Sequence, residues 1–142
     1  MRAFEAILDE LRASTGAGRV TLRLQSPDAP FPVVAESLGP EGISIKGDDR
    51  IDPTETPTFQ LVEQERRIFL QKDCLTDSPI PGRELVELYG VRAQMLAPVE
   101  RHGQLVGVIS VHHTAGPRSW SPQDVAALER AVEKVIGHLE RS

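Results

Sequence analysis

One cysteine, one tryptophan, one tyrosine and four phenylalanines are all that this 142-residue chain carries of those types. A lone thiol closes no internal disulfide and builds no metal cluster, so a reducing cytoplasm is the expected setting. With aromatics at 4%, aliphatic side chains must build the core. No apolar run approaches the roughly 18 residues that a membrane span needs. Glu5, Asp9 and Glu10 near the N-terminus argue against a signal or transit peptide. Positive charge is also in short supply: 16 Lys+Arg face 21 Asp+Glu, a formal charge of -5. That balance repels phosphate backbones, and Arg66-Arg67 is too short a run to form a basic patch, so neither nucleic acid nor membrane is an expected partner. Glycines 16, 18, 39 and 42 make no phosphate-loop pattern. Asp48, Asp49 and Asp73 are not spaced for acid–base work, and no metal site is expected.

What is present fits a single domain over residues 1–142, with 39% hydrophobic and 26% charged residues. Phe4, Ile7, Leu8 and Leu11 mark one face of a first helix, stopped by Ser14-Thr15-Gly16-Ala17-Gly18. Residues 19–24 alternate, with Val20, Leu22 and Leu24 on one side and Arg19, Thr21 and Arg23 on the other, which reads as a half-buried strand. Ser26 to Pro30 turn the chain, and Phe31 to Leu38 return as the second strand of a hairpin. The middle is irregular. Gly39-Pro40-Glu41-Gly42 and Gly47-Asp48-Asp49 flank a short Ile43-Ser44-Ile45 piece. Thr58 is a candidate cap for a short helix carrying Phe59, Leu61 and Val62. A strand is expected at Ile68-Phe69-Leu70, a loop over Asp73 to Gly82, and a short helix from Arg83 to Tyr89 closed by Gly90.

The last third is the most regular. Val91 to Glu100 and Leu105 to His113 read as strands around an Arg101-His102-Gly103-Gln104 turn. In the second of these, Val106, Val108, Ser110 and His112 point one way and Leu105, Ile109, Val111 and His113 the other. Both faces are apolar, so the sheet should be covered on both sides. Ser121 caps a last helix, with Pro122 at its first position and Asp124 in the first turn. Its apolar stripe is Val125, Leu128, Val132, Val135, Ile136 and Leu139. The fold class is therefore α+β: an antiparallel sheet with the terminal helices on one face and loops and short helices on the other.

Tyr89-Gly90-Val91-Arg92-Ala93-Gln94-Met95-Leu96-Ala97-Pro98-Val99, then Gly103 to His113, then Gly116-Pro117-Arg118-Ser119-Trp120-Ser121 before a long helix, together resemble the C-terminal third of GAF domains, and the rest of the chain resembles them through the order of its elements. Residues 108–113 look most like the phytochrome type. The resemblance implies a small-molecule-binding module whose pocket is faced by His112, with Gln94 and Leu96 from the preceding strand. It names no ligand, since one fold serves many. Two departures argue against a covalent bilin: Gly82 stands where phytochromes hold a pocket histidine, and the cysteine–histidine pair of related modules is missing. Haem stays open, because His112 alone could serve as an axial ligand.

The expected ligand-contacting residues are Phe59, Cys74, Tyr89, Gln94, Leu96, Ser110 and His112. The expected function is a sensory or regulatory module in signal transduction, not an enzyme, with a separate output protein. A second reading is a thiol-dependent oxidoreductase resembling free methionine-(R)-sulfoxide reductase and using Cys74, although a resolving thiol would have to come from elsewhere. Lys72 would lower the Cys74 pKa and Asp73 would raise it, so the sequence leaves its activation undecided. A third reading is a ligand-free module that forms a homodimer through the terminal helices, with Ala126, Ala127 and Ala131 permitting close approach. Arg92 and Arg118 are candidates for an anionic ligand, weighed against Arg118 tying its loop to the sheet with Trp120 as anchor.

Overall fold

Apolar residues at helical spacing wind Arg2–Thr15 into α1, with Phe4, Leu8 and Leu11 buried. A computed structural model describes residues 2–40 and 42–141. Met1, Ser142 and Glu41, the last belonging to the turn expected at 39–42, lie outside the described residues. After α1 come β1 (Arg19–Leu24), β2 (Val33–Leu38), a 3-10 turn (Pro53–Glu55), α2 (Pro57–Glu65) and β3 (Phe69–Gln71). They are followed by α3 (Arg83–Glu87), β4 (Ala93–Arg101), β5 (Gln104–His113) and α4 (Pro122–Arg141). The strands form one antiparallel sheet in the order β2-β1-β5-β4-β3.

Helices α1 and α4 cover one face. Phe4, Leu8, Leu11, Leu128 and Val135 pack there on Val20, Leu22, Met95, Val99, Ile109 and Val111. Leu8 and Leu128 are fully buried, and each such side chain contributes about 2 kcal/mol. The start of α4 is a capping box: Asp124 N donates to Ser121 Oγ at 3.0 Å and Ser121 N to Asp124 Oδ2 at 2.9 Å. Arg118 pairs with Asp124 at 3.1 Å and stacks 4.4 Å from the centre of the Trp120 ring. Trp120 Nε1 in turn donates to the Gln71 carbonyl. The 116–121 segment is thus tied to the sheet as expected.

The opposite face is covered by α2 and the segments around it. Phe59 and Val62 pack on Leu96, Leu105 and Val108. Ile45, Ile51 and Tyr89 pack on Val33.

Several expectations need correction. Strand β1 is not half-buried: Arg19, Thr21 and Arg23 are as enclosed as Val20 and Leu22, because β1 is an inner strand between β2 and β5. Leu105 and Val106 exchange faces. A bulge follows Val99, and Glu100 pairs with Leu105, so Leu105 joins the α2 side while Val106 packs on the helical side. The cap of α2 is Thr56 rather than Thr58, since Thr56 Oγ1 accepts from Phe59 N. The short 43–45 piece is a loop held by Glu36, which accepts from Ser44 Oγ and Ile45 N. The β4–β5 turn is tighter than expected, with only His102 and Gly103 between the strands, at φ 54° and 77°. Ala127 and Ala131 are buried in the chain's own core, in the groove against Leu11 and Ser14 of α1. Their small size permits close α1–α4 contact within the chain.

Candidate functional site

Side chains that alternate along a strand share a face, and antiparallel partners point to the same side. The register therefore assembles rows across the sheet. Arg19 (β1), His112 (β5), Gln94 (β4) and Gln71 (β3) form one row. Thr21, Ser110, Leu96 and Phe69 form the next. Arg23 stands opposite Val108 in a third. This face is unusually polar for a buried surface. Arg19, Thr21, Arg23, Gln71, Gln94, Ser110 and His112 are all less than a tenth exposed.

A cavity of about 30 Å³ lies on this face. Its floor includes Thr21, Arg23, Gln94, Ser110 and His112, and its roof is Ile45, Ile51, Thr58 and Phe59. That volume holds one or two waters. It is about a tenth of the smallest usual ligand pockets, which start near ~300 Å³. Anything larger than one or two heavy atoms requires the 45–59 roof to lift.

Five of the seven expected residues, Phe59, Gln94, Leu96, Ser110 and His112, line this one cavity. Two do not. Cys74 is fully buried beside β3, with Sγ 3.5 Å from Gln71 Oε1 and its backbone N bonded to the Arg92 carbonyl. Burial, with Asp73 and Asp77 adding to it, pushes its thiol up to about 12. A nucleophilic thiolate needs the opposite environment, so the thiol-reductase reading has no support from this site. Tyr89 packs against Val33 and Ile45 beside the cavity. Its ring lies 5.4 Å beneath the Arg19 guanidinium, and its hydroxyl donates to Asp48.

His112 is neutral here. Its Nδ1 accepts from Arg19 Nε at 2.9 Å, which leaves the ring proton on Nε2. Burial and the charges of Arg19 and Arg23 hold its pKa well below the usual value. Arg19 spends its donors on the frame: Nη1 reaches the Ile43 carbonyl at 2.9 Å and Nη2 the Tyr89 carbonyl at 3.2 Å. Gln94 Nε2 donates to Gln71 Oε1 at 2.8 Å, and Gln71 Nε2 donates to the carbonyls of Asp77 and Pro79, fixing the 73–82 loop.

Arg92 and Arg118, the expected anion partners, do not line the cavity, whereas Arg23 does. Arg23 and Thr21 fall outside the expected site because their strand reads as half-buried, with their row facing water. The available signal was its alternation of two arginines around a threonine. Once the sheet is known to be covered on both faces, such a row has to be buried.

Several solved structures have a similar fold. One is the cyanobacteriochrome receptor PixJ, at 22% identity and TM-score 0.80, covering 99% of this chain and 94% of that one. Another is a red/green cyanobacteriochrome in its green light-absorbing state, at 24% and 0.76, covering 99% and 93%. A third is a phycocyanobilin-bound GAF domain from a cyanobacterial phytochrome, at 22% and 0.78, covering 98% and 83%. A Synechocystis sp. protein bearing a methyl-accepting chemotaxis protein name is 23% identical over 142 residues. That match takes in 99% of this chain but only 14% of the relative's length. No helix among the described residues is long and apolar enough to cross a membrane. The GAF domain family model matches residues 2–137, and with the sheet order, the two covering layers and the polar inner face in place, the chain belongs to the GAF domain family.

Proposed function

We propose that this GAF domain is a cytoplasmic sensory module that holds a small molecule between the sheet and the 45–59 roof. Binding shifts the population of roof conformations, and an output partner reads the shift. The observation that carries this reading is the buried polar floor of Thr21, Arg23, Ser110 and His112 beneath a roof that is mostly apolar. Burying polar groups is costly unless they are matched, and a plain structural core would be apolar there. The chemotaxis name of the Synechocystis relative supports a signalling role. A homodimer through the outer sides of α1 and α4 belongs to the same reading; Val132 and Ile136, which pack at the edge of the core, stay only half-buried.

Phycocyanobilin is named for one similar structure, but the residues here do not fit a bilin. The cavity of about 30 Å³ is far too small, and Cys74 lies outside it with a protonated thiol. Haem meets the same lack of space. The ligand is therefore expected to be small and exchangeable.

Native mass spectrometry with visible absorption tests for a retained ligand, and hydrogen exchange over residues 43–58 tests the roof. The expected result is a colourless protein whose roof gains protection when a small molecule is added. A roof whose exchange no small molecule alters, in a protein of bare mass, would overturn the reading.

A further inference from the structure

We infer that the ligand of this pocket is a small carboxylate with a short apolar tail, its oxygens held by Arg23 and Thr21 and its tail against Ile45, Ile51 and Phe59. The inference rests on the ligand-binding reading above and specifies the chemical class.

The argument starts from charge. Arg23 is 8% exposed and makes no ion pair among the described residues. Its Nη1 donates to the neutral carbonyl of Phe31 at 3.0 Å. Asp52 exerts some attraction from outside contact distance. A guanidinium carries five donors, and a buried one favours a planar anion that can accept two of them. Arg19, whose three nitrogens hold frame acceptors, adds positive charge to the same floor without offering a free fork.

A second observation is independent of charge. Thr21 is fully buried and its hydroxyl has no hydrogen-bond partner, yet it lines this cavity. An unmet buried hydroxyl is destabilising. It makes sense as a donor awaiting an acceptor. The proton on His112 Nε2 adds a further donor to this floor, so the polar groups are biased towards donation.

The third observation is asymmetry. The charged and nitrogen donors lie on the sheet side, while the roof offers Ile45, Ile51 and Phe59, with the hydroxyl-bearing Thr56 and Thr58 as its polar members. Phosphate or sulfate needs donors around the whole ion, whereas a carboxylate with an aliphatic tail matches one polar and one apolar wall. The cavity holds one or two waters, so even a short carboxylate enters only as the roof lifts, and a short tail keeps that movement small.

The probes are propionate and butyrate, with propionamide and sulfate as controls, followed by amide chemical shifts of the pocket residues. The expected result is saturable binding of the carboxylates, at least tenfold weaker binding of propionamide, and no sulfate binding at this site. Arg23→Gln should weaken butyrate at least tenfold. Thr21→Val keeps the shape if Arg23→Gln fails to fold. It should raise Tm in the free protein, by removing the unmet hydroxyl, while weakening butyrate severalfold. A purely structural threonine would not give that split. Butyrate binding that is unchanged in Thr21→Val, or sulfate binding as tightly as butyrate, would overturn the inference. If a neutral molecule shifts the pocket residues and carboxylates do not, the carboxylate class falls while the sensory reading stands. If nothing shifts them, both fall.

Discussion

Arg19 on β1 hands its Nε hydrogen to Nδ1 of His112 on β5, 2.9 Å away, within a fully enclosed part of the sheet. The two residues stand opposite each other in the β1–β5 register. This bond requires an imidazole without a proton on Nδ1, so protonation of His112 would set two cations against each other.

That relationship sets a pH dependence. The folded-state pKa of His112 is held well below 6.5, so below pH 6.5 the unfolded chain binds a proton that the folded chain refuses. Stability is complete above about pH 6.5 and declines as pH falls, by ~1.4 kcal/mol per pH unit for one proton. Denaturant unfolding between pH 7 and 5 should show this slope. His112→Gln should flatten it. A wild-type stability that stays level over this range would contradict the geometry.

Replacing Arg19 tests the frame. Arg19→Met leaves the Ile43 and Tyr89 carbonyls and His112 Nδ1 without their donor. A buried acceptor left unmet costs ~1–3 kcal/mol, and a total near 3 kcal/mol is expected in urea unfolding. Arg19→Lys should recover little, since an ammonium cannot point in three fixed directions from a planar fork. Full recovery by lysine would show that charge alone matters.

Cys74 should be inert in the native protein. Its thiol is fully buried and pushed up to about 12, so a disulfide reagent at pH 8 should label it only as fast as the region opens. Complete labelling within seconds, with the fold intact, would reopen a role for this thiol.

Gly107 on β5 leaves no room for a side chain against β1. A Cβ there would sit 2.6 Å from the Arg23 carbonyl oxygen and 2.7 Å from Leu24 Cδ2. Gly107→Ala should destabilise by about 2 kcal/mol through backbone displacement. It should also disturb the pocket, because the displaced backbone is that of Arg23. Thermal unfolding measures the first effect and the amide shifts of residues 21–23 the second.

Tyr89 and Asp48 latch the loop next to the roof. Tyr89→Phe removes the hydroxyl that donates to Asp48 while keeping the ring under Arg19. Faster hydrogen exchange over residues 45–52 is expected, with the sheet amides unchanged. Equal exchange in both proteins would mean that Ile45 and Ile51 hold the loop unaided.

The legible parts of this fold were those written in local periodicity. Both hairpins, the two long helices and the shared face of Gln94, Leu96, Ser110 and His112 follow from spacing within single segments. Arg19 and Arg23 were hidden because burial depends on strand order. The same alternation describes an edge strand facing water or an inner strand facing a cavity, and only the pairing of β1 with both β2 and β5 decides between them. Leu105 was misplaced because one bulged residue reverses every side chain on the far side of it. Thr56 and Thr58 both suit a helix cap, and the choice between them rests on backbone geometry around Pro53 and Pro57. Cys74 and Tyr89 lie in segments whose course is set by distant partners, the Arg92 carbonyl for one and Arg19 for the other, so their neighbours in sequence said little about the cavity.

The Phe4 and His138 rings touch edge to face, with centroids 4.8 Å apart, and Lys134 meets Glu10 one to two turns further along. Helices α1 and α4 therefore run in opposite directions, with the start of one beside the end of the other. Chain attached ahead of residue 2 and chain attached beyond residue 141 would leave this domain at a single corner, like two leads from one terminal. A domain wired in that way hangs to the side of a longer array and need not carry load through its sheet. Any sliding of α1 against α4 would arrive at both attached segments together, as a change in their spacing or relative rotation.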